Sequence, residues 1–129
     1  MANTEKPSAI IIDDMDSMRN MAKVMLAATG CHCIGESENG QLGIKLYQDL
    51  HPDLVLLDIE MPVRDGISTL KAILKINPDT IVVMMTTVSN VAVAETCMYS
   101  GAKDYIQKDT DPGEIKRRLE EIVKKFFPR

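Results

Sequence analysis

The sequence predicts an α/β fold, a doubly wound parallel sheet of five strands with five helices, and three observations predict it. Short β-rich runs alternate with helical patterns along the chain, which implies a parallel sheet covered on both faces by right-handed crossovers. The run Leu54–Leu57 is wholly apolar and is bounded by Pro52 on one side and by Pro62 and Gly66 on the other, as in a strand buried on both faces. Four of the five runs end on functional side chains: Asp13-Asp14, Asp58, Thr86-Thr87 and Lys108. Parallel strands bring these ends to one edge, where open α/β sheets keep their ligands.

Taken in order, residues 1–7 are polar, end in Pro7 and read as a loose tail. Ser8 to Ile12 is the first strand. Met18, Met21, Ala22, Met25 and Ala28 recur at helical spacing, with Gly30 closing the helix, and the methionines read as core filler. Cys31 to Ser37 is a short strand. Asn39-Gly40 opens a helix carrying Leu42, Leu46 and Leu50, which Pro52 ends. After the strand that stops on Asp58, Ile67, Leu70, Ile73 and Leu74 mark a helix stopped by Asn77-Pro78. Ile81 to Met85 is a strand ending in Thr86-Thr87, Asn90 to Ser100 a helix with Gly101 at its C-cap, and Lys103 to Lys108 the fifth strand. Asp111-Pro112-Gly113-Glu114 starts the last helix, with Ile115, Leu119, Ile122 and Phe126 inward. Glu120/Lys124 and Glu121/Lys125 are expected to pair along its wet face.

A length of 129 residues suits one compact domain, placed at 8–127, and a hydrophobic share of 45% supplies its core. The net charge of -4 argues against direct binding to nucleic acid. No apolar stretch is long enough to span a bilayer, and the first residues carry no signal-peptide core, so no membrane association and a cytoplasmic location are expected. Three cysteines, an odd number, give no disulfide framework. In Cys31-His32-Cys33 strand alternation puts the thiols on one side and the imidazole on the other, which disfavours a metal site there.

The strand ends carry the chemistry. Carboxylates crowded together at 13, 14 and 58 are expected to repel one another, and a divalent cation would relieve them. An oxygen-only donor set suits Mg²⁺ with several waters retained. A carboxylate beside a metal, an ammonium and a hydroxyl is equipped to attack a phosphoryl group, whose anionic oxygens the cations offset. Asp13-Asp14 alone could equally cap the first helix, and residue type alone does not choose between Thr86 and Thr87.

Asp13-Asp14, Asp58 followed by Met61-Pro62 and Asp65-Gly66, Thr86, Gly101-Ala102, Tyr105 and Lys108 together resemble the receiver domain of two-component response regulators, over about residues 8–127. The resemblance implies a flavodoxin-like fold with strand order 2-1-3-4-5. It implies that Asp58 accepts a phosphoryl group from a sensor histidine kinase. Asp13, Asp14, Asp58 and the main-chain carbonyl of Glu60 would hold Mg²⁺. Thr86 and Lys108 would contact the phosphoryl oxygens, and Tyr105 would change rotamer on activation. The chain would catalyse only its own phosphorylation and dephosphorylation. Its target would be a downstream protein or an output domain of its own.

The chain departs from the family pattern at three places. Asp109 stands where proline usually follows the lysine, and a cis bond before a non-proline costs about 2.5–4 kcal/mol, so a trans or strained loop is expected. Thr87 is larger than the residue usual beside the switch threonine, and Glu60 could steer a hydrolytic water. The helix from Asn90 to Ser100 has Glu95 as its only charge. Residues 90–127, with Val91, Val93 and Tyr105, are therefore expected to form a partner surface, for docking or for a homodimer; the opposing expectation is that both valines are buried. Two other functions compete. Asp14 and Asp16 loosely resemble the nucleophile loop of haloacid-dehalogenase-type phosphatases, and a pseudo-receiver would act without phosphorylation. An FMN-binding flavodoxin would need a Ser/Thr/Gly-rich loop after the first strand, which is lacking.

Overall fold

The computed structural model describes residues 6–128. The order is β1 (Ser8–Ile12), α1 (Asp16–Ala28), β2 (His32–Ser37), α2 (Gly40–Leu50), β3 (Leu54–Leu57), α3 (Gly66–Ile76), β4 (Ile81–Thr86), α4 (Val91–Tyr99), β5 (Asp104–Gln107) and α5 (Pro112–Phe126). The strands form one parallel sheet in the order β2-β1-β3-β4-β5, the flavodoxin-like arrangement. Strand order reverses at β1 and β3, so a crevice opens beyond their carboxyl ends.

Alternation along the central strands builds two cores. Ala9, Ile11, Leu54, Leu56, Val83 and Met85 face one side with Ala22 and Leu26 of α1 and Ile115 and Leu119 of α5. Ile10, Ile12, Val55, Leu57, Val82 and Met84 face the other with Ile44, Tyr47, Leu70, Ile73 and Cys97. Each fully buried side chain of this size contributes about 1.5–3 kcal/mol, which fixes the strand register. Four helices begin on side-chain caps: Asn39, Asp65, Asn90 and Asp111 accept from main-chain N–H groups of the first turn.

Several details differ from the sequence reading. Residues 1–5 of the expected tail lie outside the described residues, but Pro7 is buried and its carbonyl accepts from His32 N at 2.8 Å, extending the β1–β2 ladder. In α2, Leu42 and Leu50 are exposed, and Gly43, Ile44 and Tyr47 face the sheet. A Cβ on Gly43 would lie 2.6 Å from the Ile12 side chain, so the helix approaches the sheet along its glycine and the two leucines flank the contact. In α1, Ala28 is exposed, Met18 and Met21 pack at the rim, and a charged residue, Arg19, is buried. Among the described residues the ion pairs within α5 are Lys116–Glu120, Glu114–Arg117 and Arg117–Glu121 rather than the two expected ones. Arg117 bridges carboxylates on both sides of itself with its planar fork, while Lys125 lies 5.4 Å from the Phe126 ring centroid.

Candidate functional site

β1 and β3 pair from Ala9↔Leu54 to Ile12↔Leu57, and Asp58 N donates to Ile12 O at 2.9 Å, so Asp13 and Asp58 leave adjacent strands side by side. Carboxylate oxygens of Asp13, Asp14 and Asp58 lie within 4.8 Å of one another. Asp13 and Asp58 are only 3% and 4% exposed, whereas Asp14 opens to solvent. Lys108, one residue past β5, places Nζ 2.8 Å from Asp13 Oδ2 and 3.1 Å from Asp58 Oδ2. The other oxygens are also held: Asp58 Oδ1 accepts from Ile59 N at 2.7 Å and Asp13 Oδ1 from Met15 N at 2.9 Å.

Burial pushes the Asp58 carboxyl above the usual carboxylate range; Lys108 opposes the shift, Asp13 adds to it, and hydrogen bonding from Lys108 and Thr86 lowers it. Burial alone would depress Lys108, but its hydrogen bond to Asp13 and the charges of Asp58 and Asp13 hold it above its ordinary value. Asp58 is thus a carboxyl group held out of water beside an ammonium, an arrangement suited to an oxygen nucleophile. The donor set, three carboxylates with one side open to solvent, fits a hard divalent cation that keeps waters.

Thr86 ends β4 fully buried, with Oγ1 accepting from Val88 N at 3.2 Å; Thr87 beside it is exposed. Glu60 is exposed on a cleft lined also by Asp14, Ile59, Met61, Asp65 and Ile67. The Tyr105 hydroxyl donates to Val88 O at 2.5 Å, and burial, followed by the neighbouring Cys97 and Asp58, pushes its pKa up. Thr86 and Tyr105 therefore meet at the segment 86–88. Val91 is 75% exposed, which overturns the expectation that both valines are buried, while Val93 packs partly against the core face that includes Cys97. There is no cis peptide bond among the described residues, so Lys108–Asp109 is trans, and Asp109 is exposed. Asp16, the second residue of the phosphatase alternative, is not part of the carboxylate cluster and pairs with Arg19. Cys31 and Cys33 share one core face with His32 exposed, as alternation requires, and the three form no metal cluster among the described residues.

Three features escaped the sequence reading. A Cβ on Gly66 would lie 1.9 Å from Asp58 O, so α3 begins in direct contact with the main chain of Asp58; Gly66 N also donates to Ile59 O at 2.8 Å. The Asp65-Gly66 pair was visible, but its steric reason was not. Val63 adopts φ 71°. Arg19 donates from Nη1 to Asp13 O at 2.6 Å. The available signal for Arg19 was a basic residue among the inward positions of α1.

A family profile described as the response regulator receiver domain matches residues 9–120. A chemotaxis protein CheY from Thermotoga maritima is 33% identical over 115 residues, covering 89% of this chain and 96% of that protein. The regulatory protein AtoC from Escherichia coli is 38% identical over 108 residues, covering 82% of this chain but 23% of that protein. The chain therefore spans nearly all of one relative and about a quarter of the other. Among solved structures, CheY in a CheX–CheY–BeF3–Mg complex from Borrelia burgdorferi superposes with TM-score 0.85 at 24% identity, covering 90% of this chain and 88% of that one, a likeness of fold.

Proposed function

The chain belongs to the response regulator receiver family, and from that premise we propose that it is a phosphorylation switch whose acceptor is Asp58. The observation that carries this reading is the buried Asp58 carboxylate, which has Lys108 at 3.1 Å and two further carboxylates within 4.8 Å. The donor is a sensor histidine kinase. An Asp58 oxygen attacks phosphorus, the phosphorus–nitrogen bond to the donor imidazole breaks, and an aspartyl phosphate forms. Lys108 follows the new charge from the carboxylate to the phosphoryl oxygens, and the Thr86 hydroxyl turns from Val88 N to donate to them. Asp13, Asp14, Asp58 and the carbonyl of Glu60 would hold Mg²⁺, which supplies charge neutralisation at the transferring group. Water then attacks the phosphorus of the aspartyl phosphate, the bond to Asp58 breaks, and inorganic phosphate leaves with the carboxylate restored, so the chain acts as an enzyme only on itself.

Release of Val88 N by Thr86 loosens the segment to which Tyr105 is bonded, and the ring turns inward. The face from α4 to α5, including Val91, Val93 and Tyr105, then changes affinity for a downstream protein, an output domain or a second copy. The shift is as large as the difference in phosphoryl binding between the two states. The relative of similar length and the absence among the described residues of a helix able to cross a membrane support a role beside cytoplasmic kinases.

The test is intact mass after incubation with acetyl phosphate and Mg²⁺, wild type beside Asp58→Asn. Gain of one phosphoryl group in wild type alone is the expected result. Gain in both would move the acceptor to another residue. Gain in neither, with the fold intact, would make the chain a pseudo-receiver, with Asp109 and Thr87 the first residues to exchange.

A further inference from the structure

Arg19 is a buried cation that the proposed phosphoryl chemistry does not use. It lies on α1 at 9% exposure, and a guanidinium leaves water only when its donors are matched. It pairs with Asp16, has Nε 3.6 Å from Glu36 Oε1, and donates from Nη1 to the main-chain oxygen of Asp13 at 2.6 Å. The last partner is unusual in kind, because Asp13 O belongs to the peptide that joins Asp13 to Asp14. That peptide is planar, so holding its oxygen fixes its orientation and the direction in which Asp14 begins.

The neighbouring atoms are fixed as well. Asp13 N donates to Ser37 O at 3.0 Å, and Asp13 Oδ1 accepts from Met15 N at 2.9 Å. Glu36, the other anchor of Arg19, adjoins Ser37 on β2 and also pairs with Lys23. Among the described residues the Asp14 carboxylate has no hydrogen bond or ion pair, yet its oxygen lies within 4.8 Å of those of Asp13 and Asp58. The main chain sets where its side chain begins.

We propose that Arg19 is a positioning residue for the divalent cation: by tying the Asp13–Asp14 peptide to Glu36, it holds the otherwise unbonded Asp14 carboxylate toward Asp13 and Asp58. This rests on the metal reading of the site. A second physical effect has the opposite sign, since a cation near the site repels Mg²⁺ through Coulomb's law. Removing Arg19 therefore weakens metal binding if positioning dominates and strengthens it if charge dominates.

The experiment is calorimetric titration of Mg²⁺ into the unphosphorylated chain, together with urea denaturation of each variant. Arg19→Met is expected to bind Mg²⁺ about tenfold more weakly, the low end of what loss of a ligand-orienting partner brings. Arg19→Lys, which keeps the charge and one bond, falls between it and wild type. Leu119→Ala, destabilised in the α5 core, binds as wild type, which separates metal affinity from stability. Should Arg19→Met not fold, Glu36→Gln removes one anchor and is expected to weaken binding about threefold, below the tenfold of losing the whole clamp. Unchanged or tighter binding in the folded Arg19 or Glu36 variants overturns the proposal, as does equal weakening in Leu119→Ala. Wild type that binds no Mg²⁺ would remove the metal reading, and this inference with it; binding in wild type with no loss in the variants removes the inference alone.

Discussion

Val63 shows how a residue can be forced into a conformation that its type disfavours. Arg64 N donates to Pro62 O at 2.8 Å, closing a three-residue turn about Val63 at φ 71°. A β-branched residue is strained there, by about 1–3 kcal/mol, and a side chain that is 80% exposed recovers little of this through burial. Glycine removes the strain but adds about 0.5–1 kcal/mol of chain entropy. Val63→Gly is therefore expected to stabilise the chain by about 1 kcal/mol, read as a higher urea midpoint with an unchanged slope. A lower midpoint would mean that the valine makes contacts that outweigh its backbone strain. The sequence displayed Pro62 and Gly66 and so the loop, but not which residue would be strained. That is decided by Gly66, whose contact with Asp58 O requires the intervening chain to double back. Arg19 was hidden for a similar reason, because its partner is a carbonyl, and main-chain acceptors leave no mark in residue type.

At the scale of elements, strand and helix types were legible throughout because apolar runs and helical spacings are strong periodic signals. Helix faces were less so: α2 turned Leu42 and Leu50 outward because glycine allows the closest approach to the sheet. The least committed element is α4. Cys97 is its one buried residue among those described, while Val91, Met98 and Tyr99 are exposed. Few buried contacts mean a low free energy of local opening, so its amides are expected to exchange with deuterium faster than those of β3 and β4. Val91→Lys should leave stability within about 0.5 kcal/mol, as surface substitutions do, whereas Val93→Lys should cost about 1–3 kcal/mol, because an ammonium enters the partly buried contact with the core. If α4 is the partner face, Val91→Lys weakens binding or self-association in sedimentation while melting as wild type does. Unchanged association in that variant would remove Val91 from the interface.

For the whole molecule, the site is a local conflict that the rest of the fold sustains. The folded pKa of Asp58 lies above 3.8, with burial as the main cause. Between 3.8 and the raised value the folded chain binds more protons than the unfolded one, so stability falls as pH rises through that window. Lys108 has a folded pKa above 10.5; its contribution is present below 10.5 and is lost as pH rises through the folded value. At neutral pH, then, Lys108 stabilises the fold while burial of the Asp58 carboxyl, which ionises freely in the unfolded chain, opposes it. Without metal, Asp58→Asn is expected to melt at a higher temperature than wild type at pH 7. The gap should narrow as pH falls through the raised value, where wild-type Asp58 takes up its proton. Mg²⁺ reverses the comparison: at a hundredfold excess over its Kd a ligand specific for the folded state adds about 2.7 kcal/mol, and the variant, short of one anionic ligand, gains less. Calorimetric melts of both proteins at pH 4 and 7, with and without Mg²⁺, test all of these signs together. A lower melting temperature for metal-free Asp58→Asn at pH 7 would mean that the attraction of Lys108 outweighs burial, and an Asp58 that accepts phosphoryl as proposed would then rest in a satisfied ion pair that the transfer must break.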